Sequence, residues 1–393
     1  MVLSPGALTV RPQSGAQQPT FRGGAEIVVI DTQVVSRDGT PIEGLKPEQF
    51  EVVVDGRRRP VVSAEFVRST RGSAVAARDP APSSAEPGTP EGRVIVLGID
   101  EASFPVAAQF SAREAARRVV DRVAPEDHLG MVALPGGIEI APTRDRRPIR
   151  EAVSRIAGAR VDAVKSRFNL SAAEATQLHT RASVVTQELI CRECPGCGLR
   201  DQNCPLSLRE DARAISLALE QQGMLTIANL HRFLDAMVSL PGRKTLIVVS
   251  AGLPMANHPG GRPNLDAETD RVARRAAAAN INLYVFYMNV HFLRYFSPEY
   301  GKRNYSLYED ISIFGYGLEK FADSGGGAFF QIEVDSDPFV DRALRETSAF
   351  YLLAVRVEPQ DRDGKEHFIR VSVKQRGATV RYRRIVSIPS GGG

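Results

Sequence analysis

One stretch in the first third of the chain constrains the fold more than any other. Residues 94–104 read Val-Ile-Val-Leu-Gly-Ile-Asp-Glu-Ala-Ser-Phe, an apolar run of strand length that ends in Asp100. Ser111 then stands three residues before Glu114, the spacing of a capping box that opens a helix. A strand, a loop and a helix predict an open α/β sheet, in which ligands bind outside the carboxyl ends of the strands. Asp100 is therefore the first candidate site residue.

The alternation of strands and helices continues along most of the chain. It predicts a doubly wound, mostly parallel sheet over 93–349, covered by helices on both faces. Within this domain Ser207 and Glu210 repeat the capping-box spacing and predict the start of a long helix. Segments 23–68 and 350–390 read as β-strands. Because each is short for a core of its own, we expect the two segments to pair into one immunoglobulin-like β-sandwich around the α/β domain.

Two further segments are distinguished by composition. Residues 1–22 are rich in Pro, Gly and Gln and are predicted to be disordered, while 69–92 reads as a linker. The N-terminus lacks the basic start and apolar core of a signal peptide. The small and polar residues from Ser14 nevertheless resemble the sequence that follows a cleavage site, so a truncated leader is one interpretation.

Composition and motifs exclude several classes of function. The chain has 393 residues, of which 43% are hydrophobic, as in a globular protein. Its formal charge of +4 comes with no nucleic-acid-binding motif, so no nucleic-acid partner is predicted. No apolar run reaches the length of about 18 residues that a membrane span needs. Gly-x-Ser-x-Gly, His-Glu-x-x-His and P-loop motifs are also absent from the sequence, and we expect no enzymatic activity.

The order of these segments resembles the bacterial, acidobacterial-type VWFA-related proteins, which are built on the von Willebrand factor A (VWA) domain. The resemblance covers most of the chain. No single motif identifies this family, but the order and the spacing of the segments together do. The similar segments are the strand-turn-strand at 34–51, the strand at 94–100, 127–134, 240–253 and the closing strands from Phe350. The resemblance implies a VWA-like fold, export to the periplasm or the extracellular space, and binding of a protein partner.

The resemblance also implies a place for Mg²⁺, which prefers hard oxygen ligands. The VWA pattern supplies Asp-x-Ser-x-Ser, a Thr in a Gly-Gly-Thr loop and an Asp in a Thr-Asp-Gly turn. Here Asp100 is kept, but Ala102 and Phe104 replace the two serines. An insertion at 160–206 replaces the Gly-Gly-Thr region, and the turn reads Ser250-Ala-Gly without its carboxylate. The expected metal site is therefore degenerate.

Two neighbours of Asp100 keep a weak Mg²⁺ site open as an alternative. Glu101 follows it directly, Ser103 lies three residues after it, and both carry oxygen atoms that could join it as ligands. The competing interpretation is that Asp100 accepts hydrogen bonds from nearby backbone N–H groups at the end of its strand.

All four cysteines lie within 14 residues of the insertion, at Cys191, Cys194, Cys197 and Cys204. Two disulfides would staple the insertion, in one of three connectivities that the sequence does not separate. Four thiolates could instead hold a structural Zn²⁺. An iron–sulfur cluster is the third interpretation. Export favours disulfides, because they persist in oxidising compartments.

Three functions follow as hypotheses. The first is a non-enzymatic exported protein that binds an unidentified protein partner through the loops 100–110, 135–145, 251–263 and 288–305. The second is a metal-dependent adhesion or chaperone-like module, in which a carboxylate of the partner completes the coordination begun by Asp100. The third is a zinc-binding or redox-responsive protein that acts through its cysteines. The last of the four loops is aromatic, with Phe292, Tyr295, Phe296, Tyr300 and Tyr305.

Overall fold

The computed structural model describes residues 27–69, 92–160, 166–180, 184–256, 260–290, 307–333 and 335–390. The predicted disordered segment 1–22, the linker between 69 and 92, and the aromatic residues of the loop 288–305 lie outside the described residues.

The described residues form strands and α-helices that we number in chain order. The strands are β1 (Ile27–Val35), β2 (Phe50–Val54), β3 (Arg57–Arg59), β4 (Val61–Arg68), β5 (Val94–Asp100), β6 (His128–Leu134), β7 (Ile138–Thr143), β8 (Lys244–Ser250), β9 (Ile281–Met288), β10 (Ala328–Ile332), β11 (Ala349–Arg356), β12 (Glu366–Val373), β13 (Thr379–Tyr382) and β14 (Ile385–Ser387). The helices are α1 (Gln109–Arg122), α2 (Arg147–Arg155), α3 (Ala172–Thr180), α4 (Val184–Glu193), α5 (Cys204–Val238), α6 (Asp266–Ala278), α7 (Leu307–Ser324) and α8 (Asp337–Glu346).

A six-stranded sheet forms the centre of the α/β domain, in the order β10-β9-β8-β5-β6-β7. All neighbouring strands are parallel except β6 and β7, which are antiparallel. The prediction of a mostly parallel sheet is confirmed. Because β5 lies in the middle, with its successors on either side, the carboxyl end of β5 is where the strand order reverses and a crevice is expected.

Alternate residues of the central strand face opposite layers of helices. Ile95, Leu97 and Ile99 belong to a core shared with α1, α2 and α8. Val96 belongs to a second core, shared with α5, α6 and α7. A Cβ at Gly98 would lie 2.9 Å from the ring of Phe233, so the glycine permits close packing of α5 on the sheet.

The β segments from the two ends of the chain form two four-stranded antiparallel sheets, β13-β1-β11-β4 and β14-β12-β2-β3. Each sheet combines strands from both segments, since β1 pairs with β11 and β2 pairs with β12. Buried residues of both sheets, among them Ile30, Val52, Leu353 and Val371, share one core. Neither segment could bury that core alone. The assignment of the two sheets to an immunoglobulin-like fold stays a prediction.

Buried polar contacts join the sandwich to the α/β domain. Glu346 at the end of α8 is fully buried and accepts a hydrogen bond from Arg381 Nε of β13 at 2.6 Å. The hydroxyl of Tyr284 on β9 lies 3.2 Å from the same carboxylate and 3.0 Å from Gln33 Oε1 of β1. Asp31 of β1 also forms an ion pair with Arg243. These contacts fasten both sandwich segments to the domain between them.

His367 of the sandwich gives a test of stability against pH. Its ring nitrogens lie 2.7 Å from Asp55 Oδ2 and 3.1 Å from Asp363 Oδ1. Burial lowers the pKa of His367, but the hydrogen bonds to the two carboxylates outweigh burial and leave the pKa above its ordinary 6.5. The stabilisation is therefore complete below 6.5 and is lost as the pH rises through the raised pKa.

We expect the free energy of unfolding to fall by about 1 kcal/mol from this source between about pH 6 and about pH 9. His367→Gln should remove that part of the pH dependence, and urea unfolding at the two pH values measures it. An unchanged difference in the variant would contradict the assignment.

Two predicted helix starts are wrong by three and four residues, since the N-cap positions are Ala108 and Asn203. α1 begins at Gln109, so Ser111 lies inside its first turn, and Glu114 pairs with Arg118 at 2.7 Å. α5 begins at Cys204, where Pro205 occupies the first turn. Proline is favoured there because its missing N–H needs no partner at a helix start.

Candidate functional site

Asp100 ends β5 at the expected edge of the sheet, but its carboxylate is not open to solvent. No part of its surface is exposed. Its Oδ1 accepts a hydrogen bond from Asn229 Nδ2 at 2.8 Å, and its Oδ2 accepts one from Ser250 Oγ at 2.9 Å. The expected backbone N–H donors are thus replaced by two side chains, one from α5 and one from the end of β8.

The surroundings of Asp100 act on its ionisation in opposite directions. Burial raises its pKa above the ordinary 3.8, because a low-dielectric environment disfavours the charged form. Hydrogen bonds from Asn229 and Ser250 lower the pKa and offset part of that effect. The largest influences on its pKa are therefore burial and hydrogen bonds from neutral side chains.

Glu101 turns away from Asp100 and fastens two loops. Its Oε2 accepts a hydrogen bond from Gly136 N at 2.7 Å, and its Oε1 accepts one from Ala157 N at 2.9 Å. Its carbonyl oxygen accepts a third from Ala159 N at 2.8 Å. Both carboxylate oxygens therefore serve backbone groups of neighbouring segments.

The hydroxyl of Ser103 also forms hydrogen bonds with backbone groups of neighbouring segments. It donates to the carbonyl oxygen of Asp100 at 2.7 Å and accepts from Ala251 N at 2.8 Å. Phe104, which stands where the VWA pattern has its second serine, is fully buried in the core against α1. The turn after β5 thus closes on itself and on the end of β8.

These contacts do not fit a Mg²⁺ site. Octahedral coordination needs several oxygen atoms that converge and are free to bind the ion. Asp100, Glu101 and Ser103 each direct their side-chain oxygens to protein donors instead. Across the described ranges of the chain, no group of three His, Cys, Asp or Glu side chains is placed to hold a metal ion. The arrangement is a closed polar cluster that ties β5, β8 and α5 together.

Sequence reasoning missed Asn229, which completes this cluster. It lies 129 residues from Asp100 in the chain, in the middle of a helix, and only 8% of it is exposed. Thr226, one turn earlier, is also fully buried, and its Oγ1 donates a hydrogen bond to the carbonyl oxygen of Gly252 at 3.4 Å. The helical pattern could have placed Asn229 on the side of the helix that faces the sheet, but it could not have predicted which residue Asn229 bonds to.

The insertion at 160–206 is largely helical and has a small core. It contains α3 and α4 and ends at the start of α5, whose first half completes that core. Arg192 of α4 pairs with Glu174 of α3 at 2.7 Å. The buried apolar residues of this core are Ala175, Leu178, Leu189, Ile190, Cys194, Cys204 and, beyond the insertion in α5, Leu208 and Ala212.

The four cysteines form two disulfides, Cys191–Cys197 and Cys194–Cys204. The disulfide interpretation is confirmed, and the structure supplies the connectivity. Cys194 and Cys204 are 4% and 7% exposed and belong to the core of the insertion. Their bond ties the end of α4 to the start of α5.

Removing the buried disulfide should loosen the insertion and leave the sheet intact. We expect Cys194→Ala with Cys204→Ala to lower the local stability of the insertion by about 2–3 kcal/mol, from loop entropy alone. Hydrogen exchange across α3 and α4 measures this, with β5 and β8 as internal references. The matched control is Cys191→Ala with Cys197→Ala, whose residues are exposed and should matter less. Equal acceleration in α3 and in β5 would contradict a local role.

A capping box begins α3, and a buried carboxylate of α7 attaches this helix start to the domain. Ser171 Oγ accepts a hydrogen bond from Glu174 N, and Glu174 Oε2 accepts one from Ser171 N. Asp310 near the start of α7 accepts a hydrogen bond from Ala173 N at 2.8 Å. Burial raises the pKa of Asp310 to about 7. The first turn of α3 is therefore bound to α7.

Exposed apolar side chains stand beside the closed cluster. Val106 and Phe110, on the loop and helix that follow β5, are 60% and 71% exposed. The guanidinium of Arg113 lies 5.9 Å from the centre of the Phe110 ring. Tyr308, at the start of α7, is 83% exposed. The segments that follow β5 and the start of α7 thus carry exposed apolar side chains.

A search for membrane-spanning helices and two comparisons with known proteins gave negative results. Among the described helices, none has both the length and the apolar character to cross a bilayer. No protein-family model matches the sequence, and a search of curated proteins finds no match.

Proposed function

We propose that this chain is a non-enzymatic exported interaction protein whose VWA-like α/β domain binds a protein partner without Mg²⁺. The doubly wound sheet with one antiparallel edge strand is compatible with a VWA domain. The two disulfides support export, because such bonds persist in oxidising compartments.

The exposed pair Val106 and Phe110 carries this proposal. Aromatic side chains and Arg are enriched in protein interfaces relative to the rest of a protein surface, and contiguous exposed apolar surface often marks an interaction site. Phe110 with Arg113 beside it suits a partner surface that has an apolar pocket bordered by a carboxylate. The neighbouring Asp100 has both oxygens engaged, so the contact needs no metal to be completed.

A capture experiment with matched variants tests the proposal. The full chain is immobilised and exposed to exported proteins of its source, with Mg²⁺ or with EDTA. We expect one partner to be retained under both conditions and to be lost with Val106→Ser and Phe110→Ser together. Phe368→Ser is the control, because Phe368 is 65% exposed on the β-sandwich, outside the α/β domain.

Two results would overturn the proposal. Loss of the partner with EDTA would indicate a metal-dependent module. Equal retention by the double variant and the control would place the contact elsewhere. A thermal unfolding midpoint that is unchanged by millimolar Mg²⁺ is expected as well, since a ligand that binds only the folded state raises that midpoint.

A further inference from the structure

One face of α5 leaves large apolar side chains in solvent. The helix is 35 residues long and spans about 52 Å. Its opposite face is packed, and Leu230 and Phe233 are fully buried against the sheet. Leu217, Met224 and Leu225 are nevertheless 44%, 46% and 58% exposed. A helix normally turns such side chains toward the core, so this second apolar face indicates an interface.

The exposed face is symmetric about its centre. Leu217 and Leu225 lie four residues before and after Gln221, and Ala214 and Ala228 lie seven residues before and after it. All five side chains are exposed. At about 100° per residue, they fall within about 40° of one line along the helix. Large and small apolar side chains therefore recur in mirrored order.

The charges at the two ends of this face are complementary. Glu210 lies eleven residues before Gln221 and Arg232 lies eleven residues after it, and both are exposed. Reversing the helix about Gln221 exchanges an acidic position with a basic one. A two-fold interface requires this property, because each position must suit its mirror position on the other copy.

We propose that a second copy of this chain docks on this face, with the two α5 helices antiparallel about a two-fold axis at Gln221. Leu217 of one copy then meets Leu225 of the other, and Ala214 meets Ala228, which allows close approach. Glu210 pairs with Arg232 at both ends. Antiparallel helix dipoles also oppose each other favourably.

The arrangement has a consequence for the rest of the molecule. The first half of α5 carries the disulfide-bonded insertion, and the second half packs on the sheet. An antiparallel pair therefore places the two insertions at opposite ends of the dimer. The surface with Val106 and Phe110 is not part of the pair, so this inference does not rest on the proposed function.

Cross-linking at the axis is the first test. A residue on a two-fold axis meets its own copy, so Gln221→Cys should give a covalent dimer under mild oxidation. Arg209→Cys is the matched control, because Arg209 is exposed on the same helix but about 120° away from the line through Gln221. Equal cross-linking of the two variants, or none at Gln221→Cys, would overturn the proposed axis.

Sedimentation gives the second test with non-covalent chains. We expect the wild type to move from the mass of one chain, 42.8 kDa, toward twice that mass as concentration rises. Leu217→Glu should weaken the dimer by about 100-fold, because each dimer loses two buried leucines. Phe368→Glu is the control for an added charge at another exposed apolar site.

A charge exchange tests the orientation. Glu210→Arg and Arg232→Glu should each weaken the dimer, and the double variant should restore it, since each change recreates the pair in the opposite sense. All positions are exposed, and circular dichroism checks that each variant is folded. A monomer at all concentrations, or a double variant weaker than both single variants, would overturn the antiparallel dimer.

Discussion

Replacing Glu346 by alanine should destabilise the protein by about 3–5 kcal/mol, the largest effect we expect from a single polar side chain. Glu346 is fully buried and pairs with Arg381 at 2.6 Å and with Arg342 at 2.9 Å. Its removal leaves the guanidinium of Arg381, which is 16% exposed, without the carboxylate that it pairs with. Tyr284 also loses an acceptor, 3.2 Å from its hydroxyl.

Urea unfolding followed by circular dichroism measures this effect. The matched control is Glu43→Ala, which removes a carboxylate paired with Arg68 on the surface, where both side chains are more than half exposed. We expect a change below about 1 kcal/mol there. If Glu346→Ala cost no more than the control, the contacts between the sandwich and the α/β domain would not determine stability.

The second large effect concerns the closed cluster at the end of β5. Asn229→Ala removes the donor 2.8 Å from Asp100 Oδ1 and leaves a fully buried oxygen without it. We expect a loss of about 2–3 kcal/mol at neutral pH. Arg209→Ala on the exposed side of the same helix is the control, with an expected change within about 0.5 kcal/mol.

The pH dependence of this loss distinguishes the cluster from simple packing. Burial already raises the pKa of Asp100, and the bond from Asn229 lowers it. Without that bond the folded pKa rises further above the unfolded value, so the folded state binds the proton more tightly. Stability then falls more steeply as the pH rises, and the destabilisation should be larger at about pH 8 than at about pH 5. An equal loss at both values would mean that Asn229 acts through packing alone.

Local patterns predicted much of the fold. The apolar run of β5 and the position of Asp100 at its end follow from strand length and from the polar residue that stops it. Three Ser-x-x-Glu spacings illustrate the limit of such patterns. Ser111 and Ser207 lie inside helices, while Ser171 forms the reciprocal bonds of a true capping box. The spacing is the same in all three, and the surrounding chain decides which serine is outside the helix.

The site depended on contacts that no local pattern contains. Asp100 could be named from the sequence because the end of a central parallel strand is a predictable place. Asn229 could not, because its role depends on how closely α5 approaches the sheet, which Gly98 and Phe233 determine together. The same limit applies to the pairing of Cys194 with Cys204.

The sequence by itself determined the alternation of strands and helices, the position of Asp100 and the clustering of the cysteines, because these depend on residues near one another in the chain. Only the tertiary structure decided that the oxygens of Asp100 are closed by Asn229 and Ser250. It also decided that β strands from the two ends share one core. Hydrogen bonds and packing join residues more than a hundred positions apart, and their geometry exists only once the chain is folded.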